Sequence, residues 1–256
     1  MTRVRVSIIQ SGEFGDAKTN LERMAADVRA HRGSDLIVFP ELALHGHAWT
    51  SGPPSAYDAL RGVSDDKGSQ MSELAAENGT SIVYGEIKEI EGLLYNLATY
   101  TNGHERVSYA KTHVHWSERF APGSEYPIVA TFARPLGMLI CYDAAFAEVP
   151  RMLALRGAEI IVNVSAIPAS FPLKHVHRRI VACSVQNQVF TIFANRSGEG
   201  YRGGSAVVDP TGELVALAGE TGALTVDIDL GDVQRWRAQE PILPHRRPDL
   251  YHSIAQ

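Results

Sequence analysis

The chain has 256 residues, of which 45% are hydrophobic and 21% charged, and its formal net charge is -5. This length is ample for a large buried core, and the mildly acidic balance without a basic stripe gives no reason to expect a nucleic-acid partner. No apolar run approaches the roughly 18 to 20 residues that a membrane-spanning helix needs, and the N-terminus lacks the features of a signal peptide. The two cysteines make no disulfide framework, which favours a reducing compartment such as the cytoplasm. Together these features predict a soluble, cytoplasmic protein without a membrane partner.

Short apolar runs alternate with amphipathic segments along the chain. Runs of alternating apolar and polar residues, or short apolar runs bounded by turn residues, predict strands, and apolar spacing of three or four residues predicts helices. In chain order the segments are strand 1–10, helix 16–33, strand 35–42, helix 69–79, strands 80–87, 94–103, 104–111, 126–132 and 136–142, helix 147–158, strand 159–167, helix 172–188, strand 189–197, hairpin 203–217, strand 222–230 and helix 231–239.

The order of these elements indicates an α/β protein with a mixed sheet, because apolar strands buried on both faces alternate with helices and hairpins. Two sheets packed face to face under outer helices would account for so many strands. We find no internal repeat and no linker, so residues 1–256 are interpreted as one domain. Residues 240–256 form its Pro-broken C-terminal tail, which we expect to be extended.

Three chemically capable residues each follow a predicted strand, where ligands gather in open α/β sheets. Glu41 follows "LIVFP", Lys111 follows "RVSYA" and Cys141 follows "GMLI". Each also has an ordinary structural explanation. A glutamate can favour a helix N-terminus, a lysine after a strand usually points into water, and a cysteine after an apolar run is usually a small core residue.

Together these three residues make a chemical set. A thiol is a poor nucleophile until it is ionised, and a carboxylate within hydrogen-bond reach of Cys141 can take its proton and later activate water. The ammonium of Lys111 can stabilise the oxyanion that forms when the thiolate attacks, and the backbone N–H of Tyr142 is a natural second donor. A base, an electrophile and a nucleophile complete an acyl-transfer site.

The sequence around these residues resembles the nitrilase, or carbon–nitrogen hydrolase, superfamily. The matching stretches run in the family's order over nearly the whole chain: "FPELALHG", "YAKTHV", "ICYDAAFAE", "GAEIIVNVSA", "VQNQVFTIFANRSG", "GGSAVVDPTGELVA" and "HRRPDLY". The resemblance assigns the family's catalytic triad to Glu41, Lys111 and Cys141. It assigns a second glutamate, which orients the site, to Glu118.

The same resemblance implies a four-layer α-β-β-α sandwich with two mixed sheets that forms a homodimer or larger homo-oligomer. It also implies that the protein needs no metal and no organic cofactor. Tyr142-Asp143 after the cysteine is typical of amidase-like branches. Ala145 stands where many omega-amidase-like members carry an arginine, which favours a substrate with an uncharged acyl group.

Several other side chains are candidates for contact with the substrate. His47 replaces a tyrosine common in the family, and Trp116 and Phe146 lie next to catalytic candidates, although core packing explains the two aromatic residues equally well. Cys183 lies on an apolar helix face and is interpreted as a core residue. Two His-x-His pairs lack a further Cys or His pair with zinc-site spacing, so they predict no metal site.

The sequence therefore predicts an amidase that releases ammonia and a carboxylic acid from a small-molecule amide through a cysteine thioester. The alternatives are an N-carbamoyl or nitrile hydrolase with the same residues, an acyltransferase, and a binding or scaffold protein of the same fold. A Cys–His hydrolase of another fold would depend on His113 or His115 as much as on Cys141. The sequence does not identify the substrate.

Overall fold

A computed structural model describes residues 3–10, 16–46, 66–131 and 133–251 of the chain. Its strands are β1 (Arg3–Ile9), β2 (Leu36–Val38), β3 (Ser81–Ile90), β4 (Leu93–Thr101), β5 (Arg106–Ala110), β6 (Ile128–Ala130), β7 (Pro135–Ile140), β8 (Ile160–Ser165), β9 (Phe190–Asn195), β10 (Ser197–Gly198), β11 (Tyr201–Arg202), β12 (Ala206–Val208), β13 (Leu214–Leu217) and β14 (Ala223–Asp229). Its helices are α1 (Ala17–Ala30), α2 (Asp66–Asn78), α3 (Glu148–Leu155), α4 (Leu173–Asn187) and α5 (Gly231–Gln239).

Two six-stranded sheets form the centre of the structure. The strand order is β14-β1-β2-β3-β4-β5 in the first sheet and β13-β12-β9-β8-β7-β6 in the second. Strands β1, β2 and β3 are parallel to one another, as are β7, β8 and β9, and the outer strands of both sheets pair antiparallel. Both sheets are therefore mixed, as predicted.

The two sheets pack face to face, and helices cover their outer faces. Met138 of β7 lies in one apolar cluster with Val6 of β1 between the sheets, whereas its neighbour Leu139 packs with Leu153 of α3 on the outside. Helices α1 and α2 cover the outer face of the first sheet, and α4 packs beside α3 on the second. The predicted four-layer α-β-β-α sandwich is confirmed, and burial on both faces explains why these strands are continuously apolar.

Local boundaries follow the capping signals closely. Asp16 caps α1 by accepting the backbone N–H of Thr19 at 2.8 Å, and Gly79 has a φ of +60° just after α2. Helix α2 begins three residues earlier than predicted. The glycine-rich segment 197–206 contains the two-residue pairing of β10 with β11. No helix in the described ranges has the length and apolar character needed to cross a membrane.

Candidate active site

Glu41 and Lys111, which are far apart in sequence, form a fully buried ion pair. Glu41 comes shortly after β2, and Lys111 directly follows β5 in the same sheet. The Lys111 Nζ lies 2.9 Å from the Glu41 Oε1, and both side chains are 0% exposed. A buried ion pair is costly to desolvate unless further hydrogen bonds satisfy both partners, so its remaining contacts are informative.

Three donors hold the carboxylate of Glu41 in one position. Its Oε1 accepts a hydrogen bond from the side-chain amide of Asn96 at 2.7 Å as well as from Lys111. Its Oε2 accepts from the backbone N–H of Ala166 at 3.0 Å, just beyond the end of β8 in the second sheet. The carboxylate therefore bridges the two sheets at one edge.

The backbone around Glu41 depends on a glycine in the neighbouring strand. Leu42, the next residue, has a φ of +55°, which is uncommon for a residue with a side chain. A Cβ on Gly85 would lie 2.2 Å from the backbone nitrogen of Leu42. Only glycine at position 85 lets the turn that carries Glu41 pack this closely against β3.

Lys111 also contacts Glu118, so its ammonium lies between two carboxylates. The Glu118 Oε1 is 2.6 Å from the Lys111 Nζ, and the Glu118 side chain is only 1% exposed. Burial alone would lower the pKa of Lys111, but the charges of Glu41 and Glu118 raise it. Lys111 is therefore a protonated ammonium, fixed in place without solvent around it.

Glu118 has an unusual protonation equilibrium for a carboxyl group. Burial, followed by the nearby charge of Glu41, raises the pKa of Glu118 to about 7, although Lys111 acts in the opposite direction. Its second oxygen, Oε2, is buried and has no hydrogen-bond partner within the described parts of the chain. That oxygen remains available to a group that enters from the adjacent cavity.

Cys141 occupies a strained position at the end of β7. Its φ is +47°, and it begins a single 3-10 turn, Cys141–Ala145. A left-handed conformation at a non-glycine residue costs on the order of 1–3 kcal/mol and persists only when neighbouring contacts enforce it. Here the Asn163 Oδ1 accepts the Cys141 backbone N–H at 2.9 Å.

The surroundings of the Cys141 thiol favour its neutral form at rest. Burial, and next the charge of Glu41, raise the pKa of the thiol, while the ammonium of Lys111 acts in the opposite direction. A nucleophilic role therefore requires a base close by that removes the proton as the sulfur attacks.

A second buried carboxylate, Asp143, ties the Cys141 turn to the segment after β5. Its Oδ2 accepts from the Tyr109 hydroxyl at 2.8 Å and from the backbone N–H of Ile140 at 3.0 Å. Its Oδ1 accepts from the His113 backbone N–H at 2.9 Å and from the Thr112 hydroxyl at 3.1 Å. Asp143 thereby connects the residues on either side of Lys111 with those on either side of Cys141.

Asn96, Asn163 and Asp143 were not predicted from the sequence as site residues. All three are almost completely buried, yet they occur within or directly after apolar strands. A polar residue in a continuous apolar run is the one available signal, because a buried polar group must find a partner. That signal does not say which partner.

A cavity of about 410 Å³ opens beside these residues. Its wall contains Cys141 and Glu118 together with Tyr142, Trp116 and Arg179. Most of the remaining wall is apolar and comes from the segment after β8 and from the start of α4. The structure thus places the candidate nucleophile where a small molecule can reach it.

The predicted substrate contacts have different outcomes in the structure. Trp116, which is 81% exposed, and Tyr142 both line the cavity, and their rings meet edge to face at 5.7 Å. Phe146 is not part of the cavity wall: it stacks on His113 at 3.9 Å and supports Tyr142 edge to face at 5.1 Å. His47 lies outside the described residues.

The histidines near the site have structural partners. The His113 Nδ1 lies 3.2 Å from the Asp143 Oδ1, whereas His115 lines the cavity and its ring nitrogen contacts the Ser117 hydroxyl at 2.7 Å. Burial and the charge of Lys111 lower the pKa of His115. The described ranges contain no group of three or more His, Cys, Asp or Glu side chains arranged to hold a metal ion.

Comparisons with known proteins show which family the chain resembles. Residues 5–238 match the model of the carbon-nitrogen hydrolase family. The chain is 30% identical to an (R)-stereoselective amidase from a Pseudomonas species, with 95% of this chain and 92% of that protein aligned. It is also 30% identical to an omega-amidase from Mus musculus, with 98% of each chain aligned.

Solved structures of similar proteins share the fold. A carbon-nitrogen hydrolase from Helicobacter pylori G27 superposes with a TM-score of 0.90 at 24% identity, covering 99% of this chain and 98% of that one. The amidase from Nesterenkonia sp. AN1, solved as a cysteine-to-alanine mutant in complex with butyramide, superposes with a TM-score of 0.78 at 26% identity over 92% and 95% of the two chains. The chain therefore belongs to the carbon–nitrogen hydrolase family.

Proposed function

We propose that this protein is an amidase that hydrolyses the primary amide of a small molecule, without a cofactor, to ammonia and a carboxylic acid. The observation that carries this proposal is the buried Lys111 ammonium, which contacts both Glu41 and Glu118 beside a cavity lined by Cys141. The similarity to an amidase that was crystallised with butyramide supports a primary amide as the substrate.

In the first half of the proposed reaction, Glu41 acts as the base and Cys141 as the nucleophile. Because the thiol of Cys141 is protonated at rest, Glu41 accepts its proton as the sulfur attacks the amide carbon. The electron pair of the carbonyl moves to oxygen and forms a tetrahedral oxyanion. Glu41 then returns the proton to the departing nitrogen, so ammonia leaves and a thioester remains.

The oxyanion needs donors that are already in place before the reaction starts. Lys111 supplies an ammonium whose position is fixed by two carboxylates, and the backbone N–H of Tyr142 is the second donor in our proposal. Preorganised donors in a site with little water contribute several kcal/mol, on the order of 2.7–4 kcal/mol for one donor. We assign Glu118 to holding Lys111 and to contacting the amide nitrogen of the substrate through its free oxygen.

In the second half, a water molecule replaces the ammonia. Glu41 removes a proton from the water as it attacks the thioester carbon, which forms a second oxyanion between Lys111 and Tyr142. Collapse of this intermediate breaks the C–S bond, and the proton on Glu41 returns to the sulfur of Cys141. The carboxylic acid leaves and the site is restored.

A cytoplasmic location and assembly into a homodimer or larger homo-oligomer remain predictions. Leu155 of α3 and Val185 of α4 are 46% and 41% exposed on the outside of the sandwich, which suits pairing of two copies through these helices. Sedimentation analysis of the purified protein measures the oligomeric state directly.

The decisive test is ammonia release from a panel of primary amides, N-carbamoyl compounds and nitriles. We expect the wild type to release ammonia from primary amides, Cys141→Ala to lose this activity, and Cys183→Ala to retain it. Release from only the carbamoyl compounds or only the nitriles would contradict the amide assignment. Equal release by wild type and Cys141→Ala would contradict the proposed nucleophile.

A further inference from the structure

The cavity beside Cys141 contains a cationic side chain at some distance in sequence from the reacting groups. Arg179 belongs to α4, whereas Glu118 and Cys141 come from the segments after β5 and β7. Apart from Glu118, Arg179 and the half-buried His115, the wall of the cavity is formed by apolar side chains, Tyr142 and two serines. The cavity thus has one acidic and one basic charged group.

The packing of α4 fixes where Arg179 lies. Val176, one helical turn earlier on the same face, is 5% exposed and packs in a cluster with Phe193 and Ala206 of the second sheet. Ala144, on the turn that begins with Cys141, packs against the same cluster. The helix that carries Arg179 and the turn that carries the candidate nucleophile therefore share one apolar support.

Arg179 differs from the surface arginines of this chain that form an ion pair with a carboxylate. Arg5, Arg235 and Arg247 each lie on the surface and pair with an aspartate, at 2.8 Å, 2.9 Å and 2.6 Å respectively. Arg179 is half-buried, and within the described residues it has no hydrogen bond and no ion pair. A guanidinium that has lost part of its water and has no protein acceptor is suited to a planar, bidentate acceptor such as a carboxylate.

The charges in the cavity also set the direction of a bound molecule. At the reacting end, the single positive charge of Lys111 is matched by the carboxyl groups of Glu41 and Glu118. This end therefore does not attract a substrate carboxylate, whereas the Arg179 end does. Alanine at positions 144 and 145 supplies no charge on the turn, so Arg179 is the cationic side chain that the described wall offers to an acyl group.

We propose that Arg179 binds a carboxylate on the acyl part of the substrate, so that the preferred substrate is a monoamide of a dicarboxylic acid with its amide group at Cys141. This inference rests on the proposed amidase function and revises the expectation, based on Ala145, of an uncharged acyl group. The recognition residue comes from α4, outside the segments in which the sequence predicted site residues.

The test compares two five-carbon amides. Glutaramate ends in a carboxylate, and pentanamide ends in a methyl group at the same position. Ammonia release gives kcat/KM for the wild type, Arg179→Gln and Arg178→Gln. Arg178 is the matched control, because it is the adjacent arginine of the same helix but is exposed and does not line the cavity. A charge-assisted contact predicts that Arg179→Gln lowers kcat/KM about 10- to 100-fold for glutaramate and less than about threefold for pentanamide.

Equal losses for both amides, or the same loss in Arg178→Gln, would overturn the role of Arg179. A second measurement separates this inference from the proposed function. Calorimetric titration of glutaramate into Cys141→Ala, with and without Arg179→Gln, reports binding when no turnover occurs. The inference is contradicted if glutaramate does not bind, or if it binds equally to both proteins. If binding depends on Arg179 but the wild type turns over no amide, only the proposed function is contradicted.

Discussion

The two cysteines of this chain lie in regions that differ in charge, and Cys141 is half-buried beside a cavity whereas Cys183 is buried. Burial raises the pKa of both thiols, that of Cys183 to about 12. Cys183 lies in an apolar cluster under α4, where its sulfur accepts a weak hydrogen bond from the Thr191 hydroxyl at 3.5 Å. Cys141 has the charged groups of Glu41 and Lys111 as neighbours and borders a cavity.

From this difference we expect burial alone not to determine the reactivity of a thiol. A buried thiol is inert when nothing nearby can take its proton or stabilise its charge, as at Cys183. The partial burial of Cys141 strengthens its electrostatic interactions with the carboxylate of Glu41 and the ammonium of Lys111. The charged neighbours should therefore control the chemistry of Cys141 and leave Cys183 unaffected, and this can be tested.

Removal of the buried ammonium should have the largest effect. Lys111→Met leaves the carboxyl groups of Glu41 and Glu118 facing each other in a dry site, which should lower the free energy of unfolding by about 3–5 kcal/mol. It also removes a proposed oxyanion donor, so we expect amide turnover to fall about 10³-fold. Urea unfolding and ammonia release measure the two effects.

Alkylation by iodoacetamide, followed by peptide mass spectrometry, provides the internal control for Lys111→Met. The labelling rate of Cys141 should change, while Cys183 stays protected in the folded protein of both variants. A variant that keeps wild-type turnover and wild-type labelling of Cys141 would show that charge does not distinguish the two cysteines.

Asp143 should have the next largest effect, because it joins the two charged segments of the site. In Asp143→Asn, an amide group replaces a carboxylate oxygen that accepts from the Tyr109 hydroxyl or from backbone N–H groups. At least one donor then faces another donor, so we expect a loss of about 3 kcal/mol in stability. If the lost contacts displace Cys141 by about 1 Å, kcat should fall about 10²-fold.

Tyr109→Phe is the matched control for Asp143→Asn, because it removes one donor and leaves the carboxylate with its backbone partners. Its loss of activity should be clearly smaller. Full activity in Asp143→Asn would mean that the turn at Cys141 keeps its position without this connection.

The sequence predicted where the candidate site residues lie in the fold, because strand ends and residue chemistry can both be read from local patterns. Glu41, Lys111 and Cys141 each follow a predicted strand, and in the structure Glu41 and Lys111 form an ion pair close to Cys141. The supporting contacts of Asn163 and Asp143 depend on which segments meet after folding, and no local pattern specifies that.

Other features could not be predicted for a related reason. The left-handed backbone of Cys141 is imposed by its surroundings and opposes the local preference of the residue. Phe146 and Trp116 have similar sequence positions near the site, yet one packs on His113 and the other lines the cavity. Arg179 is an ordinary helical arginine in sequence, and only the packing of α4 brings it to the cavity.

Substitution of Glu118 should have a smaller effect on stability, and this effect should depend on pH. Its folded-state pKa of about 7 exceeds the ordinary value of 4.5, so between these values the folded protein binds more protons at this site than the unfolded chain. The contribution of Glu118 to stability therefore falls as pH rises through this window, by at most about 3 kcal/mol. Glu118→Gln should lack this fall, which urea unfolding at pH 5 and pH 8 would detect. Parallel pH profiles of the two proteins would contradict the raised pKa.

Cys183→Ala should have the smallest effect and completes the comparison of the two thiols. It removes one buried sulfur from a packed cluster, so we expect the free energy of unfolding to fall by about 1–2 kcal/mol through lost packing. The hydroxyl of Thr191 keeps its hydrogen bond with Ser184, so no polar group loses its last partner. Because burial and the Thr191 hydroxyl, rather than charged side chains, shift the pKa of Cys183, amide turnover should stay within about twofold of wild type. A large loss of turnover at unchanged stability would mean that the region under α4 contributes to the chemistry, and burial without charge would then no longer identify an inert thiol.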